Sequence, residues 1–285
     1  MLNAETRKEK SIEQQKESAD LRIATAASGR AIFPTITQSF LHKVRTQPNR
    51  KVIYSKEGGS NYVGATWKEF YEQCKLISLG LQSLGVEPED RVCIISNTSR
   101  EWMLSDMAIL GCKGITVPIY ASSTPEDTAY ILNHCGAKVV FVEDQKQLEK
   151  IIGLREQLKH VKKIVVFHVI PSQNLADQKD VMSLAALREL GKRNTKDNFD
   201  TNLKSLGSKD VFTICYTSGT TGFPKGVVLT FENMASLTED VDKTMNRHVG
   251  EDDIFLTFLP FSHIFGKVEG LLTYHFGWQV YFAES

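Results

Sequence analysis

Between Thr217 and Gly226 the chain reads TSGTTGFPKG, which gathers the hydroxyls of Thr217, Ser218, Thr220 and Thr221, the glycines Gly219, Gly222 and Gly226, and the cation Lys225 into one short segment. Residues of these types suit a polyphosphate. Glycine lets the backbone take positive φ and approach a ligand closely, so successive N–H groups can turn inward as an anion-binding nest. The hydroxyls add donors and Lys225 adds a positive charge. Pro224 fixes its own φ and biases Phe223 toward extended backbone. Ordinary surface turns also use Gly, Ser, Thr and Pro, but they rarely need so many, or a lysine. The Walker loop joins a strand to a helix through the same residue types, yet its spacing is Gly, four residues, then Gly-Lys-Ser/Thr. Here Lys225 follows Pro224 and precedes Gly226, so that motif is excluded.

A second constellation lies in LPFSHIFGKVEG, Leu259 to Gly270. The apolar run DIFLTFL ends at Pro260, and Ser262 is expected to cap the helix that follows, with His263 in its first turn. A helix N-terminus carries partial positive charge and unpaired N–H groups, so it favours a carboxylate, to which His263 could donate a hydrogen bond. Taken alone, a histidine among aromatic residues reads first as a satisfied core side chain. Cys215, just before the glycine-rich segment, reads as a small core residue and is assigned no chemistry.

Strands and helices must hold these segments in place. VFTIC and VVLT flank the glycine-rich loop with strand-forming residues, and 231–248 reads as a helix. Upstream, a short amphipathic helix from Thr35 leads to a hairpin through KVIYSKEGGSNYVGATW. Thr66 with Glu69, and Thr98 with Glu101, form capping-box patterns that open two further helices. VCII, ITVPI, VVFV and IVVF are nearly continuous apolar runs separated by helical stretches, the pattern of buried parallel strands in βαβ units. The expected fold is α/β, with two doubly wound, mostly parallel βα subdomains. Residues 1–34 read as a flexible arm, 35–170 as the first subdomain, 171–209 as a connection with one interrupting helix, and 210–285 as the start of the second subdomain.

Composition narrows the functional classes. Lys plus Arg equals Asp plus Glu at 34 each, so no global field points to nucleic acid. Five scattered cysteines without CxxC spacing argue for reduced thiols in a cytoplasm rather than zinc or a redox pair. The charged start lacks the apolar core of a signal peptide, and no apolar run long enough to span a bilayer occurs. A cytoplasmic location is expected, with room for peripheral membrane contact.

The loop YTSGTTGFPKGVV resembles the phosphate-binding loop of the adenylate-forming enzymes, the superfamily of acyl-CoA synthetases, luciferases and peptide-synthetase adenylation domains. LPFSHIFGKVEG with GWQVYFAES is similar to the long-chain fatty-acyl-CoA synthetase branch, as is SREWMLSDMAILGCKGITVPIYASSTPEDTAYILNHCGAKVVFVED; the resemblance spans roughly 35–285. Many members of that branch have Glu-Arg where this chain has Gly266 and Lys267.

The resemblance implies an ATP-dependent ligase, with long-chain fatty acid, ATP and coenzyme A as small-molecule substrates and Mg2+ as the metal. Thr217, Ser218, Gly219, Thr220, Thr221, Gly222, Lys225 and Gly226 would bind phosphate, Thr217 would sit near magnesium, Lys225 would support the departing pyrophosphate, and His263 would meet the acyl carboxylate. Trp102 and Tyr120 would be core or pocket wall. The family's magnesium glutamate, ribose aspartate and C-terminal lysine have no counterpart located here. The chain is therefore expected to represent the N-terminal portion of a synthetase, incomplete at its C-terminus, and not to adenylate at a useful rate alone. Rival readings are another acid–CoA or acyl-carrier ligase of the superfamily, and a nucleotide-binding module without turnover.

Overall fold

A computed structural model describes residues 24–25, 28–56, 58–59, 61–169, 179–217, 222–245 and 248–283. A short pairing of β1 (Ala24–Thr25) with β2 (Ala31–Ile32) leads into α1 (Ile36–Thr46). β3 (Lys51–Lys56) and β4 (Tyr62–Thr66) form the expected antiparallel hairpin. The first capping box is present: Thr66 Oγ1 accepts from the Glu69 N–H at 3.1 Å, and the Glu69 carboxylate accepts from the Thr66 N–H at 2.8 Å. It starts α2 (Trp67–Ser83), and Gly85, at φ +82, carries the chain out of that helix.

Beyond it come β5 (Arg91–Ile95), α3 (Arg100–Gly111), β6 (Ile115–Ile119), α4 (Pro125–His134), β7 (Val139–Val142), α5 (Gln145–Gly153), β8 (Lys163–Val166) and β9 (Val181–Ser183). They are followed by α6 (Leu184–Lys192), α7 (Phe199–Ser205), β10 (Val211–Thr217), β11 (Lys225–Thr230), α8 (Phe231–Met245), β12 (Ile254–Thr257), α9 (Ile264–Leu271), α10 (Thr273–Phe276) and β13 (Gln279–Phe282).

Two mixed, mostly parallel sheets result. The larger has the order β11-β10-β6-β5-β7-β8-β9, parallel throughout except for the antiparallel pair β10–β11. β6 and β7 are buried along their whole length, as their unbroken apolar runs anticipate. The smaller sheet has the order β12-β13-β3-β4, with only β3–β4 antiparallel.

Sheet membership cuts across the segments read from the sequence. The stretch 171–209 contributes β9 to one edge of the larger sheet, and its helices pack into the core rather than merely connecting. A side chain at Gly191 would overlap the Leu76 carbonyl and one at Gly80 the Leu187 carbonyl, so α6 and α2 touch backbone to backbone. β10 and β11 close the opposite edge of that same first sheet, and only β12 and β13 join the sheet of the early hairpin, β13 pairing with β3 and β12 with β13. The staple is Thr213 Oγ1, which donates to the Thr116 carbonyl at 2.7 Å between β10 and β6. Among the described residues no helix is long and apolar enough to cross a membrane.

The second capping box did not form as read. Ser99, not Thr98, caps α3, accepting from the Trp102 N–H at 3.2 Å. Thr98 is drawn to a tertiary partner instead: its Oγ1 donates to the Leu259 carbonyl at 2.6 Å and accepts from the Phe261 N–H at 3.0 Å.

Candidate active site

The glycine-rich segment joins β10 to β11, which pair antiparallel. Antiparallel register sets Thr217 directly across from Lys225, and Tyr216 across from Gly226. Thr217 and Lys225 are both exposed, so a hydroxyl and an ammonium face solvent at the mouth of the turn. Gly222 has φ +144, a backbone that side chains rarely adopt. Ser218, Gly219, Thr220 and Thr221 lie outside the described residues.

α4 props the returning arm of this hairpin. Phe223, 71% exposed, stacks on Tyr130 with ring centroids 4.6 Å apart and planes 15° from parallel. Tyr130 in turn stacks on His134 at 5.3 Å, and His134 Nδ1 lies 2.7 Å from the Tyr216 hydroxyl on the outgoing strand. One helix thereby contacts both arms. Burial pushes the Tyr216 phenol well above its usual range, so it stays protonated. Cys215 is buried and desolvation raises its thiol, in keeping with a core residue rather than a nucleophile.

His263 occupies a different position from the one expected. It is itself the N-cap of α9, at φ −95 and ψ 139, and its Nδ1 accepts from the Phe265 N–H at 3.3 Å. Ser262 lies buried just before it. An imidazole that accepts at Nδ1 carries its proton on Nε2 when neutral, so His263 presents a donor at a helix N-terminus. The exposed ring is free of the core that a histidine among aromatics would ordinarily fill.

The first turn of α9 is tightly determined. His263 N–H donates to the Pro260 carbonyl at 2.9 Å, and a side chain at Gly266 would overlap that same carbonyl. This gives a physical reason for glycine at 266. Lys267, one turn after His263, has no exposed side-chain surface and pairs with equally buried Asp106 of α3 at 3.0 Å. Its Nζ also lies 4.4 Å from the Phe212 ring centroid and 5.5 Å from that of Trp102. Sequence reading missed this pair. The signal available was one acid in the apolar stretch WMLSDMAILG and one lysine in IFGKVEGL.

Two cavities adjoin these elements. A cleft of about 170 Å³ lies at the C-terminal ends of β5, β6, β12 and β13, lined by residues that include Thr98, Tyr120, Pro260 and Ser262. Strand C-termini in open α/β sheets are where ligands settle, and Tyr120 is pocket wall there while Trp102 is core. The second cavity, about 320 Å³, is almost wholly apolar and is walled by Leu237, Met245, Phe255, Ile264, Phe265 and Trp278. Glu269 also borders it, and burial raises that carboxyl above its usual range.

As for metal, Thr217 offers one neutral oxygen, and among the described residues no cluster of His, Cys, Asp or Glu could hold an ion. One hydroxyl fits magnesium only where phosphates and water supply most of its six oxygens.

Residues 40–285 match the profile of the family described as AMP-binding enzyme. The chain belongs to that family. It is 30% identical over 276 residues to the long-chain-fatty-acid–CoA ligase ACSBG2 of Xenopus laevis, covering 95% of this chain and 36% of that protein. Human ACSBG1, also a long-chain-fatty-acid–CoA ligase, is 31% identical over 222 residues, covering 77% of this chain and 30% of the relative. The chain thus spans about a third of the length of these relatives.

Its fold is that of the anthranilate CoA ligase AuaEII in complex with anthranoyl-AMP, with a TM-score of 0.73 at 20% identity over 91% of this chain and 46% of that one. A putative long-chain-fatty-acid CoA ligase from Rhodopseudomonas palustris superposes with a TM-score of 0.71 at 20% identity, covering 88% of this chain and 58% of the other.

Proposed function

We propose that this chain grips the phosphates and orients the carboxylate in an ATP-dependent fatty acid–CoA ligase, with a long-chain acid as substrate. In the first step a carboxylate oxygen bonds to the α phosphorus and the bond to pyrophosphate breaks; in the second the CoA thiol attacks the acyl carbon and AMP leaves. The observation that carries this reading is the pairing of Thr217 with Lys225 at the mouth of a glycine-rich hairpin in an AMP-binding family member.

Lys225 places a positive charge where pyrophosphate departs, and the hairpin's N–H and hydroxyl donors hold the β and γ phosphates. Magnesium, when bound, would neutralise phosphate charge, with Thr217 Oγ1 suited as one of its ligands. His263 donates through Nε2 to the acyl carboxylate, and the positive end of α9 adds to that attraction. The apolar cavity beginning beside Phe265 favours a hydrocarbon tail over a polar one.

The test is pyrophosphate exchange with a long-chain fatty acid, measured on the protein that carries this chain together with the magnesium glutamate and ribose aspartate motifs. Lys225→Ala and Thr217→Ala should each slow exchange ~100-fold or more. Unchanged exchange in both would remove the hairpin from the chemistry. A substrate panel run alongside separates long-chain acids from aryl, medium-chain and carrier-linked ones.

A further inference from the structure

A cleft of about 330 Å³ opens between β4, α2, α3 and α6 and shares no lining residue with the clefts around His263. Val63, Phe70 and Leu104 give it an apolar wall, and Arg100 and Arg188 give it cationic groups. Arg188 stands out because it is partly buried and its Nε has neither solvent nor a hydrogen-bond partner. Among the described residues no carboxylate reaches ion-pair distance of its guanidinium.

The nearby acids are committed elsewhere. Glu101 favours the charge on Arg188, but its Oε1 already accepts from Arg100 Nε and Nη2 at 3.2 and 3.0 Å. Glu69 is engaged by the Thr66 N–H and hydroxyl at 2.8 and 2.9 Å. Burial lowers the Arg188 pKa, and Arg100 acts in the same direction, so the two cations border the cleft at mutual cost. A partly desolvated cation whose nearby acid is shared with a second cation opposes folding, and the backbone contact of α6 with α2 holds Arg188 in that environment. An external anion would relieve the imbalance, and the apolar wall specifies what it should carry.

We propose that this cleft binds an amphiphilic anion: a carboxylate or phosphate-ester head seated on Arg188, with a short apolar body against Val63, Phe70 and Leu104. Two sources share this chemistry, a free aliphatic acid and an alkyl phosphate. Titration of the chain with hexanoate, hexyl phosphate and inorganic phosphate, followed by calorimetry, distinguishes them.

At least one of the alkyl probes should saturate, and inorganic phosphate alone should bind more weakly because it lacks the apolar body. Arg188→Gln should weaken the binding roughly tenfold or more, the loss expected for a charge-assisted hydrogen bond. Val63→Glu, which sets a negative charge on a half-exposed part of the wall, should weaken it as well. Without ligand, the melting midpoint of Arg188→Gln should stay level or rise, since no partner is lost; an arginine with a structural role would lower it. Saturation by neither alkyl probe, equal affinity in Arg188→Gln, or a lowered unliganded midpoint overturns the proposal.

Discussion

The two ends of the candidate site are held by opposite means. The candidate phosphate hairpin lies at a sheet edge with Thr217 and Lys225 exposed, and it is steadied from outside by a ladder of rings running Phe223, Tyr130, His134, Tyr216. The candidate carboxylate end is steadied from beneath. His263 is exposed, but one helical turn on, Lys267 is fixed to Asp106 in the interior, and Gly266 lets the Pro260 turn lie against the helix. The difference teaches that the candidate chemistry and stability are separable at the hairpin and fused at α9. A side chain removed from the ladder changes a local equilibrium, whereas one removed from the buried pair strands a charge.

The largest effect should come from breaking that pair. Lys267→Met leaves Asp106, whose Oδ2 already lacks a partner, buried without a counter-charge. Denaturant unfolding should register a loss of ~3–5 kcal/mol. Replacing both residues with apolar ones of similar volume should recover most of it, because two desolvation costs vanish together. A single variant as stable as the parent would mean that the pair does not anchor α9, and the contrast between the two ends would dissolve.

Legibility followed the same division. The glycine-rich loop and its flanking strands were readable because glycines, hydroxyls and Lys225 are contiguous between strand-forming runs, and the spacing alone excludes the Walker type. The parallel strands were readable because burial on both faces leaves unbroken apolar runs. What escaped depended on partners distant in sequence. Thr98 and Ser99 are equally good caps on paper; the choice was made by the Leu259 carbonyl, far along the chain, which draws Thr98 away. His263 took the cap from Ser262, which went into the interior. Strand neighbours were not legible either, since nothing local to VFTIC states that it will pair with ITVPI across the Thr213–Thr116 hydrogen bond.

A smaller effect is expected at the ladder. Tyr130→Leu removes the ring on which Phe223 stacks, an interaction worth about 1 kcal/mol beyond its area. Global stability should fall by no more than that amount, while amide exchange at Phe223 and Lys225 should accelerate several-fold to about tenfold. Tyr130→Phe keeps the ring and should match the parent in both measurements. Exchange unchanged in Tyr130→Leu would show that the hairpin arm is held by its strand register alone.

The smallest effect lies where the two regions meet, at the contact of α8, which follows the hairpin, with α10, which follows α9. His275 Nε2 lies 2.6 Å from Asp242 Oδ2, with both side chains buried. Burial lowers the His275 pKa, the charges of Lys43 and Arg30 add to this, and Asp242 only partly offsets it. Burial alone would raise the Asp242 carboxyl, but hydrogen bonds from Ser28 and His275 and the charge of Arg30 outweigh it, so its pKa is lowered. Both shifts have one sign, because in each case the unfolded chain binds the proton more readily than the folded one. The associated stability is therefore complete above the unfolded histidine value of about 6.5; it declines as pH falls below that, and declines again below the carboxylate's unfolded value near 4. His275→Gln can still offer Asp242 a donor but cannot titrate. Its unfolding midpoint should be flat through the first of these windows while the parent's slopes downward. Equal slopes in the two proteins would place the acid sensitivity elsewhere and leave α8 and α10 joined by packing rather than by charge.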